Sequence, residues 1–199
     1  VRITATGPLR VTPPGRLYPG ALEVRPTQSG LVLINHVGLE AYLPGVVAGE
    51  LGDAWPTEAL AAQAVAARTY ASWQMATRAR GPWDLTDTTR DQVYKGHVDA
   101  DRPVARACRR TAGLVLTWRG KVLPAFYHST CGGATAPAHR AFDTPSDLRP
   151  LKGVACRHCR IATAHYRWES KPIPPSRLLA LFGLPRGTRV QALDAGGRK

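Results

Sequence analysis

No run in this chain approaches the roughly 18–20 consecutive apolar residues that a membrane-spanning helix requires, and the opening residues VRITATGPLR hold no apolar signal-peptide core. The first absence excludes a predicted membrane span. The second leaves export open, because a removed leader leaves no trace in a mature chain. Acidic residues are also scarce, 14 against 27 lysines and arginines, for a net charge of +13. Such a surface attracts polyanions: nucleic acid, an anionic wall polymer or lipid headgroups. Yet the basic residues, among them Arg78, Arg80, Arg106, Arg109, Arg110, Arg157, Arg160 and Arg167, are scattered. With no nucleic-acid recognition motif beside them, they read as a solvated basic face. Internal repeats and low-complexity tracts are absent too. What is present, 199 residues with 44% hydrophobic content, suffices for a sizeable core.

Residues 1–36 alternate short β-type runs (RITAT, ALEVRP, GLVLINH) with the turn signals TPPGRLYPG and TQSG, predicting a small β region. A helical block follows, over Leu39–Leu51 and then from Pro56 toward Gly81, with Leu60, Ala64, Ala67, Ala71 and Met75 on one face. A short helix is expected around RPVARACRRTAG, with Cys108 as a packing thiol. LVLTWRGKVLPAFYHS reads as a hairpin turning at RGK. After KPIPP come a helix SRLLALFG, capped by Ser176, and a strand TRVQALD. The fold class is α+β, a helical centre flanked by β hairpins. The expected division is 1–36, 37–170 and 171–199, the last piece continuing beyond Lys199.

In the helix of residues 39–51, Leu39, Leu43, Val46 and Val47 share one arc at 100° per residue, and Glu50 falls in its middle. Glu50 therefore either faces inward or, with fraying at Gly49 and Gly52, swings to solvent or to Arg68. A carboxyl group in an apolar, partly desolvated cleft can stay protonated near neutral pH, which suits a general acid acting on a glycosidic oxygen. Glycoside hydrolysis normally needs a second carboxylate. The nearby acids, Asp53 and Glu58, read instead as turn and helix-start residues.

The second constellation pairs YHSTCGG with CRHC. His128 and Cys131, with Cys156 and Cys159, match the spacing of a closed Cys3His zinc site, which would be structural for want of an open position. A Cys156–Cys159 redox disulfide, or one from Cys131 to that pair, fits the same spacing.

LEAYLPGVVAGEL, WPTEALAAQAVAARTYA, LTDTTRDQVYKG, YHSTCGGATAPA and LKGVACRHC with YRW occur in unbroken order over Gly38–Trp168, and the chain thereby resembles the SpoIID/LytB domain family. The resemblance implies peptidoglycan chemistry outside the cytoplasmic membrane. Its sporulation member is a lytic transglycosylase acting on glycan strands stripped of stem peptides, with a catalytic glutamate that carries over to Glu50. One acid would then act twice, protonating the oxygen between N-acetylmuramic acid and N-acetylglucosamine and taking the proton of the muramic C6 hydroxyl. That hydroxyl closes on C1 without water, effective concentration replacing a second base. Gln63, Arg68, Gln92 and Tyr94 also match the family pattern, as groove-lining groups or with Arg68 positioning Glu50; Gln63 and Arg68 equally suit locking two helices together, and Trp55 and Tyr94 suit stacking on sugar or the core. Metal binding by some relatives supports Zn2+ at the cysteine and histidine positions. Others are named as amidase enhancers, which implies a peptide-stripping amidase as partner.

Overall fold

The computed structural model describes residues 1–78, 81–144, 148–161, 166, 173–185 and 187–189. Most of the expected strand TRVQALD, and Arg167 and Trp168 of the YRW motif, lie outside the described residues.

The predicted β region is present. β1 (Arg2–Thr4), β4 (Ala21–Thr27) and β5 (Gly30–His36) form an antiparallel sheet in the order β1-β4-β5, while β2 (Leu9–Val11) and β3 (Arg16–Tyr18) form a separate hairpin. β4 and β5 stay in register from Ala21↔His36 to Thr27↔Gly30. Asn35 ties this sheet to the rest of the fold: its amide donates to the carbonyls of Pro19 and Ala21, and its Oδ1 accepts the Tyr94 hydroxyl at 3.1 Å.

The centre is helical, as the periodicity predicts. α1 (Leu39–Glu50), α2 (Thr57–Thr77) and α3 (Pro103–Arg110) bury Leu43, Val46, Val47, Leu60, Ala64, Ala67, Ala71 and Val104 completely. Alanine on α2 permits this close approach. Met75 departs from expectation, being 51% exposed. α2 has 21 residues against 12 and 8 in its partners, so its last turns outrun them.

Two glycines on successive turns of α1 bring a loop onto the helix. A Cβ on Gly45 would lie 2.3 Å from the Gly96 carbonyl oxygen, and one on Gly49 would lie 2.3 Å from that of Val93. Residues 93–96 thus run directly over α1, and Gly49 sits inside the helix instead of fraying it.

Arg68 locks the three helices. It is 1% exposed, grips both carboxylate oxygens of Glu40 on α1 at 2.8 and 2.9 Å, and donates to the carbonyls of Cys108 and Leu114. Beyond α3, the expected long hairpin shrinks to β6 (Thr117–Trp118) and β7 (Lys121–Val122), turning at Arg119–Gly120 as RGK predicts. The last described helix, α4 (Pro175–Leu181), is capped two residues early, with Pro174 in the cap position and Ser176 inside its first turn.

Candidate functional site

Glu50 is the last residue of α1 and is half-buried. The loop lying on α1 supplies one ligand to its carboxylate, the backbone N–H of Val93, which donates to Oε1 at 2.9 Å. The Tyr127 hydroxyl donates to the same oxygen at 3.3 Å. Oε2 receives no hydrogen bond among the described residues. One oxygen is therefore fixed by a backbone donor and a phenol while the other stays available.

Behind Tyr127 stands Gln92, fully buried. Its Nε2 donates to the Ala67 carbonyl and to Tyr127 Oη, both at 3.1 Å, and its Oε1 accepts the Tyr42 hydroxyl. Every polar atom of this amide is satisfied, which fixes its orientation and that of the phenol. Burial, followed by the charge of Glu50, holds the Tyr127 phenol well above its ordinary pKa, so it remains a donor.

The same loop is anchored one residue earlier by Asp91. Its carboxylate accepts the Thr86 N–H and hydroxyl, the Gln74 amide and the Tyr70 hydroxyl, and pairs with Arg78. Burial raises its pKa, but these donors and the arginine outweigh burial and leave it below the ordinary value.

Of the residues expected to line a groove, three are interior. Gln92, Arg68 and Tyr94 are 0%, 1% and 4% exposed, which leaves no face for a sugar. Each is fully engaged within the fold, and Arg68 pairs with Glu40, not Glu50. Two remain available. Trp55 is 53% exposed between α1 and α2. Gln63 lies one turn before Ala67 on α2, and its buried Nε2 has no hydrogen-bond partner. Asp53 pairs with Arg102 and caps α3 through the Val104 N–H, and Glu58 pairs with Arg110. Neither is free to act as a second acid.

Sequence reasoning missed Tyr127. FYHS lies in an irregular segment with no periodic signal: Phe126 and Tyr127 both pack on Tyr70, Tyr127 reaches Glu50, and His128 is exposed.

The cysteine cluster forms as a separate feature. An isolated bridge between Ala134 and Ala155, with the Cys156 N–H on the Gly133 carbonyl, joins the CGG turn to CRHC. Gly132 and Gly133 take φ of 62° and 110°, which side chains resist. Cys131, Cys156 and Cys159 bring their sulfurs within 4.8 Å of one another as free thiols. Sγ of Cys159 is 3.3 Å from that of Cys131 and 3.6 Å from that of Cys156. Tetrahedral zinc with sulfur at about 2.3 Å needs sulfurs about 3.8 Å apart, so a few tenths of an ångström of expansion would admit the ion. The backbone N–H groups of Cys159 and His158 lower the Cys156 thiol to about 7, toward the thiolate that a metal requires. His128 is exposed and stands outside the group. The donor set that fits a metal is therefore three thiols, without the predicted histidine.

Two cavities accompany these features. The larger, about 700 Å3, lies between β5, the start of α1 and residues 81–87, away from Glu50. The smaller, about 330 Å3, lies beside the β6–β7 turn.

The frame is thus an α+β domain with a held helix-terminal carboxylate and, as a separate feature, a cluster of three thiols. Residues 27–118 match the family model described as Stage II sporulation protein, which supports a SpoIID/LytB family for this segment. An uncharacterized protein of Brachyspira hyodysenteriae is 37% identical over 143 residues, covering 71% of this chain and 38% of the relative. The amidase enhancer of Bacillus subtilis is 35% identical over 102 residues, covering 51% and 14%. Stage II sporulation protein D of Bacillus amyloliquefaciens is 33% identical over 149 residues, covering 62% and 43%. The chain spans less than half the length of each of these relatives.

Proposed function

We propose that this domain is a lytic transglycosylase of bacterial peptidoglycan, acting outside the cytoplasmic membrane on strands stripped of stem peptides. The carrying observation is the asymmetric hold on Glu50: Val93 N–H and Tyr127 Oη take Oε1, leaving Oε2 to exchange a proton. Oε2 would protonate the glycosidic oxygen between N-acetylmuramic acid and N-acetylglucosamine. The resulting carboxylate would then take the proton of the C6 hydroxyl as that oxygen closes on C1. Asp53 and Glu58 being committed elsewhere favours this single-acid route over hydrolysis by two carboxylates. Trp55, exposed, would stack on sugar, and Gln63 would reach one only by turning its buried, unbonded Nε2 outward. Zinc on Cys131, Cys156 and Cys159 would fasten the CGG turn to CRHC and supply cross-linking instead of reaction chemistry.

Similarity to the amidase enhancer favours a second reading, a glycan-binding domain that stimulates a peptide-stripping amidase. Mass spectrometry of peptide-free glycan strands, incubated with wild type and with Glu50→Gln, separates the two. Anhydromuramic ends from wild type alone support cleavage. Strand binding without cleavage by either protein, together with a stimulated amidase, supports the enhancer. Reducing ends from wild type would mean hydrolysis.

A further inference from the structure

The smaller cavity combines three features that the Glu50 site does not use. Its walls include two indoles, Trp73 of α2 and Trp118 of β6, with Arg119 and Lys121 beside them and one carboxylate, Asp143. Thr144 also lines it, and the Thr144 hydroxyl oxygen is buried with no hydrogen-bond partner. A buried hydroxyl without a partner is costly and calls for an occupant that bonds it.

The third feature is in the backbone. Arg119 has a φ of 51°, the one positive φ outside glycine among the described residues, and Gly120 follows with 76°. A two-residue hairpin turn with both centres left-handed favours Asn-Gly, so arginine in the first position is strained. Its guanidinium lies over the Trp118 ring, 5.7 Å from the centroid. The turn thus tolerates a poor residue that places a cation against an aromatic wall.

Rings connect this cavity to the Glu50 carboxylate. Tyr127, whose hydroxyl is on Glu50, contacts Tyr70 at 6.5 Å between centroids, and Tyr70 contacts Trp73 at 5.9 Å. The cavity is therefore two ring contacts from the residue that holds Glu50.

Resting on the peptidoglycan reading above, we infer that this cavity is a second saccharide subsite, which takes a carboxylate-bearing amino sugar of the same glycan strand. The indoles supply apolar wall for the sugar ring, one face of Trp118 being taken by Arg119. Arg119 and Lys121 meet the lactyl carboxylate, and Thr144 and Asp143 meet hydroxyl or amide groups. Indoles for the ring and paired cations for the acid select muramic units over neutral sugars.

The test compares binding of three probes by calorimetry: a peptide-free strand containing muramic acid, a neutral N-acetylglucosamine oligomer of equal length, and poly(glycerol phosphate). Wild type, Arg119→Asn, Lys121→Gln and Glu50→Gln are measured, with thermal midpoints. The expected result is a roughly tenfold loss of affinity for the muramic strand in Arg119→Asn, from one charge-assisted contact. Affinity for the neutral oligomer should stay unchanged, and the midpoint should rise because Asn relieves the turn. That pairing of greater stability with weaker binding is what a merely structural Arg119 cannot give. Unchanged affinity in Arg119→Asn and Lys121→Gln, or equal losses for the muramic strand and the neutral oligomer, would overturn the subsite. So would tighter, Arg119-dependent binding of poly(glycerol phosphate), which would make it a polyphosphate site. If no protein cleaves strands while the Arg119-dependent preference holds, the subsite stands and the transglycosylase reading falls. Cleavage lost only in Glu50→Gln, without that preference, gives the reverse.

Discussion

Tyr127 Oη donates to Glu50 Oε1 at 3.3 Å while accepting from Gln92 Nε2 at 3.1 Å, so one phenol couples the Glu50 carboxylate to a fully buried amide. The chain Ala67 O, Gln92, Tyr127, Glu50 passes from α2 through two loops to the end of α1. It explains how a carboxylate at a helix terminus, where the backbone is least constrained, is held in one place.

Tyr127→Phe tests that coupling. It removes the donor to Oε1 and the acceptor for Gln92 while keeping the ring. Strand cleavage should fall by about tenfold to a hundredfold, within the range of a lost positioning hydrogen bond. Stability should drop by about 1 kcal/mol, and affinity for strands should change little. Rates of anhydro-end formation beside a denaturant curve check both. An unchanged rate would remove Tyr127 from the mechanism.

Gly49→Ala tests whether the loop over α1 is required. On an open helix this change would stabilise by about 1 kcal/mol, since alanine is the better helix former. Here the new methyl meets the Val93 carbonyl oxygen at 2.3 Å. The expected outcome is the opposite sign, a loss of about 1–3 kcal/mol by overpacking. Cleavage should fall too, as Val93 moves off Glu50. Thermal unfolding decides the sign.

Much of this frame was legible in the sequence because it is periodic. The apolar arc of α1 and the alanine face of α2 follow from residue spacing, and Glu50 stood out as the one acid on such an arc. Gln92 and Tyr94 were found as residues but not as roles, while for Arg68 the helix-locking alternative is the one the contacts match. Their partners lie 25–59 positions away, and burial set by such contacts leaves no local pattern. The cysteine pairing was readable from spacing, whereas the exposure of His128, in an irregular segment after β7, leaves no local pattern.

Arg68→Met should show how the three helices are locked. Glu40 is half exposed and can rehydrate, so little is lost on its side. The carbonyls of Cys108 and Leu114 lose their donor, and that cost dominates. A destabilisation of about 3 kcal/mol follows. Arg68→Lys should recover part of it, lacking the bidentate fork. Urea midpoints for both variants check the order.

Metal analysis tests the thiol cluster. Purified protein should carry about one equivalent of zinc, the stoichiometry of a single structural site. Cys156→Ser or Cys159→Ser should abolish it and lower the melting midpoint, whereas His128→Ala should retain the metal. A metal-free, folded protein with an oxidised Cys156–Cys159 pair would refute the assignment.

Acid sensitivity should trace to Asp91 and Glu40. Both carboxyl groups lie below their ordinary values in the fold: Glu40 because Arg68 bonds it, Asp91 because Thr86, Gln74 and Arg78 together outweigh its burial. A depressed folded pKa means the unfolded chain takes up protons first as pH falls. The stabilisation is therefore complete above the unfolded value near pH 4 and is lost as pH drops through the folded values. Asp91 is the stronger case, its side chain being 3% exposed against 49% for Glu40, whose contribution solvent screens. Asp91→Asn should lower stability at pH 7 and flatten its decline below about pH 4. Denaturant midpoints from pH 7 to pH 2 for both proteins measure this, and parallel curves would show that Asp91 is not the group responsible.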